Sequence, residues 1–210
     1  MIANPIPYKI VSDRLMLRCY EPSDVHQLNE KTNRSKEHLL PWLSWAKLAP
    51  YTLDMHIDTI RRMRSMFDTD QDYTLGIFDK TTGELYGGTG MHTVSAKEFH
   101  IGYWIDVQHQ KKGYITEAVK ALTQVGLLYR NMHFVQVCNA KDNSASRNIP
   151  LKLGFKLDAT LRNRLKLDEE DYRDKEIWSM NKDEFMANNA MQMHIVCYDF
   201  IGNEISPLPL

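Results

Sequence analysis

Gln110-Lys111-Lys112-Gly113-Tyr114-Ile115-Thr116-Glu117-Ala118-Val119 joins a strand pattern to a helix pattern through a basic, glycine-bearing turn. Downstream, Ile115, Ala118, Val119, Leu122, Val125 and Tyr129 recur at i, i+3, i+4, i+7, i+10 and i+14, one apolar stripe of a helix from Tyr114 to about Arg130. Upstream, Phe99, Ile101, Tyr103 and Ile105 alternate with His100, Gly102, Trp104 and Asp106, the period of a strand. The first turn of a helix leaves amide N–H groups without partners and carries the positive end of the helix dipole, so a phosphate placed there is stabilised by several donors at once. Gly113 lets the backbone approach closely and Lys111 and Lys112 add charge. The stretch is a phosphate cradle by composition and position.

Two common phosphate loops are excluded. No Gly-x-x-x-x-Gly-Lys-Ser/Thr occurs, and no Gly-x-Gly-x-x-Gly opens a helix. The cluster Gly87-Gly88-Thr89-Gly90 sits inside a strand pattern, where glycines mark a bulge or a close backbone approach. The cradle resembles instead the acetyl-coenzyme A loop of the GNAT-type N-acetyltransferases, Gln/Arg-x-x-Gly-x-Gly/Ala, matched here by Gln110 to Ile115, with Ile115 where glycine or alanine is usual.

The chain has 210 residues, 43% of them apolar, enough for one domain with a sizeable core. Its 26 basic and 27 acidic residues leave no large electrostatic footprint for nucleic acid. Met1 to Lys9 carries two prolines and no apolar signal core, and nowhere do 18 apolar residues run together, so a cytoplasmic location is expected. Cys19, Cys138 and Cys197 are few, scattered and odd in number, as expected of reduced thiols, with no metal-ligand cluster.

In chain order, Leu15, Leu17 and Cys19 alternate with Met16 and Arg18 within an expected strand over Arg14 to Tyr20, and Glu21-Pro22-Ser23-Asp24 starts a helix with Val25 and Leu28 on its apolar side. A second helix is expected over Thr52 to Phe67, with Met55, Ile60, Met63 and Met66 inward and Arg61, Arg62 and Arg64 solvated. Tyr73 to Phe78, Leu85 to Val94 and Phe99 to Ile105 then form an antiparallel meander, and the long helix crosses over to a short strand, Phe134 to Cys138. The expected fold class is therefore α/β (α+β), a mixed, mostly antiparallel central sheet with flanking helices.

The start, Arg14-Leu15 to Asp24, and the segment Ser35 to Trp45 resemble the ribosomal-protein N-terminal acetyltransferase (RimJ/RimL-like) branch of the GNAT family. So does Asn143-x-x-Ser146 followed by Leu153-Gly154-Phe155. On the residues alone, Asn143 is an N-cap and Gly154 a helix stop. Pro150 removes an N–H and its ring clashes with the carbonyl of Ser146, so a kink that displaces the Ser146 hydroxyl is expected.

That resemblance implies a GNAT fold over residues 8–185, with 186–210 a C-terminal extension outside it that adds a strand, covers the groove or exchanges between the copies of a homodimer. It implies acetyl-CoA as cofactor, no metal, and transfer of acetyl to a primary amine, a protein or peptide N-terminus above all. A small-molecule amine and a non-catalytic acyl-CoA sensor are the alternatives. Gln110, Lys111, Lys112, Gly113, Tyr114, Ile115 and Thr116 would bind the cofactor, with Asn143 on its pantetheine arm and Ser146 beside the thiol as proton donor. The strands ending at Ile105 and Cys138 would splay around the acyl chain, and the Val107 N–H would face the thioester oxygen. Trp42 and Trp45 would wall the acceptor site. Asp158 occupies the place of a general base acting through water, and the acidic run Asp168 to Asp171 lies where it could attract a cationic amine. His92, His100, His109 and His133 are alternative bases, and spacing singles out none of them. Cys138 is read as a small buried residue rather than a nucleophile.

Overall fold

The computed structural model describes residues 6–208. The expected absence of a signal core rests partly on residues 1–5, which lie outside that range. A ten-stranded sheet runs in the order β10-β9-β1-β2-β3-β4-β5-β6-β8-β7. Its strands are β1 (Lys9–Val11), β2 (Leu15–Arg18), β3 (Tyr73–Asp79), β4 (Leu85–Ser95), β5 (Glu98–Ile105), β6 (Phe134–Ala140), β7 (Lys156–Lys166), β8 (Tyr172–Asn181), β9 (Val196–Tyr198) and β10 (Glu204–Ile205). The helices are α1 (Val25–Arg34), α2 (Lys36–Leu39), α3 (Leu53–Asp68), α4 (Tyr114–Gln124), α5 (Ser144–Leu153) and α6 (Lys182–Ala187).

The alternation in β2 places Leu15 and Leu17 in the core, and β3, β4 and β5 form the expected meander. The apolar stripe of α4 is buried at Ala118, Val119, Leu122 and Val125, and the α-helix passes into a π turn over Val125–Tyr129. That crossover makes β5 and β6 the parallel pair in an otherwise antiparallel sheet. A larger core spans the sheet and α4, and a smaller one gathers Tyr20, Val25, Leu28, Ile60, Phe78 and Leu85 beneath α1 and α3.

Two expectations about α3 are corrected. In α3 the fully buried positions are His56, Ile60 and Phe67; Met63 is half-buried and packs against the smaller core as expected, whereas Met66 is only half-buried and Met55 is exposed. Arg64 is drawn in from the solvated face and donates to the Tyr20 carbonyl (3.1 Å). Helix α5 runs unbroken through Pro150. The Ser146 carbonyl that proline deprives of an intrahelical donor accepts instead from the Tyr103 hydroxyl (3.1 Å), so a side chain from β5 supplies the missing bond.

The C-terminal residues extend the sheet. β9 pairs with β1 and β10 with β9, while Met191, Ile195 and Cys197 are buried. Helix α6 straddles residue 185, so the chain passes into this extension without a break in secondary structure.

Candidate active site

β5 and β6 are in register from Glu98 opposite Phe134 to Ile101 opposite Val137, and there the pairing ends. Gly102 to Ile105 and Cys138 to Ala140 continue as strands without facing each other, which leaves a gap in the middle of the sheet. Unpaired strand backbone is a set of donors and acceptors for something inserted between the strands.

At one end of the gap stands the cradle. Gly113 is the N-cap of α4 with φ +83°, and Lys111 has φ +59°, uncommon for a residue with a side chain. The first intrahelical bond runs from Glu117 N–H to Gly113 O (3.0 Å), leaving the N–H groups of Tyr114, Ile115 and Thr116 without helical partners. Lys111, Lys112 and Gly113 are exposed, while Gln110, Tyr114, Ile115 and Thr116 are half-buried. The branched side chain of Ile115 packs against the larger core, away from the exposed rim.

Residues far away in sequence hold this loop. Arg14 donates to the Lys112 carbonyl (3.0 Å) and to Glu117 Oε2 (2.6 Å), and its guanidinium lies 4.8 Å above the Tyr114 ring. Ser12 donates to Glu117 Oε1 (2.8 Å), so this buried carboxylate at the helix start is turned inward to the β1–β2 turn. Tyr114 stacks on Tyr86 (4.4 Å), which stacks on His109 (4.4 Å). The approach from β5 is anchored by Asp106, which is fully buried and accepts from Arg34 at both oxygens, from Ser35 Oγ (3.0 Å) and from His109 Nδ1 (2.6 Å). Burial pushes the Asp106 carboxyl up, but the Arg34, His109 and Ser35 hydrogen bonds outweigh it and hold its pKa at about 2.

The same anchor corrects one expectation. The Val107 N–H donates to Ser35 Oγ (3.0 Å) and is not directed at the gap, although Val107 itself is exposed and Ile105 half-buried at the strand end.

On the far side of the gap, Asn143 caps α5 by accepting from Ser146 N–H (3.0 Å), leaving its Nδ2 group free to donate. Ser146 Oγ lies 3.1 Å from the Tyr103 hydroxyl. Burial pushes the Tyr103 phenol up to about 12, so it keeps its proton. The pair Tyr103–Ser146 bridges the gap from β5 to α5, and Tyr103 is a functional candidate that strand alternation marked only as a core position.

Across the sheet lies a cavity of about 450 Å³ lined by Trp45, Tyr51, Trp104, His92, Thr89 and Gly102 among others. Its floor is made where β4 and β5 carry glycines: Gly88 faces Trp104, and Gly90 faces Gly102. A Cβ on Gly88 would collide with the Trp104 indole and the Tyr20 hydroxyl, the close approach expected of the glycine cluster. Trp45 packs edge-on against Trp104 (6.0 Å). The two tryptophans of the segment therefore part company: Trp45 walls the cavity, whereas Trp42 lies 5.3 Å from the Arg173 guanidinium and is not among the lining residues.

Asp158 is exposed at a bulge of the edge strand β7 and does not line the cavity either. The acidic turn between β7 and β8 is occupied, with Asp168 accepting from Glu170 and Asp171 N–H and forming an ion pair with Lys47 beside the tryptophan segment. Of the four histidines, His133 is exposed, His109 belongs to the Asp106 anchor, and His92 faces the cavity with His100 beside it.

Cys19 and Cys197 are buried free thiols pushed up by burial to about 11 and about 12, and burial also raises Cys138. None has the depressed pKa of an activated nucleophile. Among the described residues no group of three or more His, Cys, Asp or Glu is placed to hold a metal ion, and no helix is long and apolar enough to cross a membrane.

The parted sheet thus has the glycine-opened start of α4 at one end of the gap and a walled cavity across the sheet. The chain belongs to the GNAT acetyltransferase domain family, whose model matches residues 14–156, and it is an acetyltransferase. It is 28% identical over 149 residues to a Bacillus subtilis (strain 168) protein provisionally named ribosomal N-acetyltransferase YdaF, covering 69% of this chain and 79% of that one. It is 29% identical over 159 residues to the ribosomal-protein-serine acetyltransferase of Escherichia coli (strain K12), covering 72% and 84%. The fold matches that of RimL, the ribosomal L7/L12 alpha-N-protein acetyltransferase solved with coenzyme A, at a TM-score of 0.74 and 21% identity over 83% of this chain and 97% of that one.

Proposed function

We propose that this acetyltransferase transfers acetyl from acetyl-CoA to the primary amine at a protein or peptide N-terminus by direct attack on the thioester. The observation that carries the reading is the end of β5–β6 pairing at Ile101 and Val137, with the cradle and the α5 cap on one side and the cavity on the other. The residues present fit the cofactor: Gly113 holds the left-handed conformation that opens α4, and three first-turn N–H groups lack helical partners there.

Bound acetyl-CoA supplies an acyl group already activated as a thioester. Gln110 to Thr116 would hold its pyrophosphate through backbone N–H groups and the lysine charges, with Ile105 and Val107 beside the acyl arm. Asn143 Nδ2 donates to the pantetheine amides. Ser146, held by Tyr103, returns a proton to the departing sulfur. Trp45 orients the acceptor, and Trp42 supports the segment that carries it. Most of the rate comes from holding amine and carbonyl in contact. The names of the relatives favour a ribosomal-protein N-terminus as acceptor.

One observation favours a second reading: the cavity, at about 450 Å³, is of the size that takes a small molecule, so a small amine is the alternative acceptor. Release of free thiol from acetyl-CoA, followed on a panel of peptide N-termini and small amines, separates the two. Turnover on peptides with kcat/KM at least tenfold above any small amine is the expected result; the reverse order overturns the N-terminal reading. In the same assay Ser146→Ala should lower kcat ten- to a hundredfold at unchanged acetyl-CoA affinity, and an unchanged kcat would remove Ser146 from the reaction.

A further inference from the structure

His92 lies on β4 and lines the cavity, with its side chain one-third exposed. Its Nδ1 is 2.7 Å from Asp72 Oδ1, at the turn between α3 and β3, and Thr74 Oγ1 donates to the other Asp72 oxygen (3.3 Å). A carboxylate accepts only, so it places the imidazole proton on Nδ1 and leaves Nε2 as a lone-pair acceptor. Nε2 lies over the glycine floor: a Cβ built on Gly90 would be 3.0 Å from it, and one on Gly102 would be 3.2 Å away. Gly102 is the first residue of β5 beyond Ile101, where β5 leaves β6. The open nitrogen of an Asp-oriented histidine therefore stands at the mouth of the gap, on the cavity side.

We propose that His92 is the general base of acetyl transfer, taking the proton of the acceptor amine at Nε2, and that Asp72 is its positioning residue. The inference rests on the acetyl-transfer reading above. The amine lone pair forms the new N–C bond as the C–S bond breaks; its electron pair stays on sulfur, the N–H proton passes to His92 Nε2, and Ser146 protonates the thiolate. Protons then return to solvent and to Ser146 between turnovers, so nothing is consumed but acetyl-CoA and amine.

The surroundings are arranged for that exchange. From β5, His100 lies 4.8 Å away, ring to ring. Burial first, then the His92 and Lys175 charges, push it down to about 4 against the pull of Asp72, so it remains neutral and does not oppose a charged His92. From α3, Arg62 and His56 line the same cavity, and burial lowers the His56 pKa. Asp72 is the carboxylate in direct contact, and it stabilises the imidazolium that proton capture creates. The apolar wall of Trp45, Trp104 and Tyr51 keeps the amine in its neutral form.

The test compares wild type, His92→Gln and Asp72→Asn, with folding checked by circular dichroism and acetyl-CoA binding measured by calorimetry. His92→Gln should lower kcat by a factor of about 10²–10⁴, leave acetyl-CoA affinity within twofold, and abolish the acidic limb of the kcat/KM profile. Asp72→Asn should lower kcat and move that limb. Unchanged kcat and pH profile in a folded His92→Gln overturns the base assignment and leaves acetyl transfer standing. Failure of the wild type to bind acetyl-CoA or release thiol would instead overturn the reading on which it rests.

Discussion

The cradle side of the gap is built from backbone groups at a helix start, pinned by buried carboxylates: Asp106 under Arg34, Ser35 and His109, and Glu117 under Ser12 and Arg14. The cavity side is built from rings laid over glycines: Trp104 over Gly88, His92 over Gly90 and Gly102. The difference follows from what each partner demands. A phosphate is met by amides whose placement must not change, and buried carboxylates each held by several hydrogen bonds provide that rigidity. An acceptor amine needs a hollow, and glycine makes room for a ring to lie on the sheet. One side is specified by electrostatics and the other by steric subtraction.

The comparison breaks most visibly at the anchor. Arg34→Ala leaves Asp106 buried beside Ser35 and His109 without its cation, which should cost about 3–5 kcal/mol in urea unfolding and weaken acetyl-CoA binding as the loop loosens. The pH dependence has a definite sign. The folded carboxyl is depressed below the unfolded value of about 3.9, so its contribution is complete above that pH and is lost as pH falls towards about 2. Acid titration of the wild type should show this loss, and Arg34→Ala should start lower and show a smaller further drop.

The hollow side should respond differently. Gly88→Ala places a methyl group against the Trp104 indole and the buried Tyr20 hydroxyl, costing about 1–3 kcal/mol of stability. Displacement of Trp104 should raise acceptor KM about tenfold and leave acetyl-CoA affinity alone, read by steady-state kinetics beside calorimetry. A parallel loss of cofactor binding would mean that the two sides are not independent. Smallest is Gly113→Ala, which forces an L side chain into φ +83°. It should cost about 1 kcal/mol and weaken acetyl-CoA binding about fivefold with acceptor KM unchanged.

Most of the local structure on the cradle side was legible because its signals are local. Gln110 to Thr116 lie between one strand pattern and one helix pattern, and Asn143 and Gly154 mark the ends of a single helix. The left-handed conformation of Lys111 was not legible, since nothing in its side chain requires it. Arg14 and Tyr86 were missed because they reach the loop from strands distant in sequence. Pro150 predicted a kink and a lost backbone bond on local grounds, and Tyr103, 43 residues away from Ser146, supplied the missing donor. β1 escaped notice because three residues carry too little pattern, and its pairing with β9 joins opposite ends of the chain.

By itself the sequence determined the meander, the crossover helix, the glycine-opened turn at its start and the cap at Asn143, because periodicity and capping depend on residues a few places apart. Only the tertiary structure decided where β5 and β6 part, which tryptophan faces the cavity, that Val107 N–H is already taken by Ser35, and which of four histidines lines the cavity. Those outcomes depend on register and burial between strands far apart in the chain. A carboxylate at position 72 and an imidazole at 92 become a pair because β3 and β4 fold back on each other.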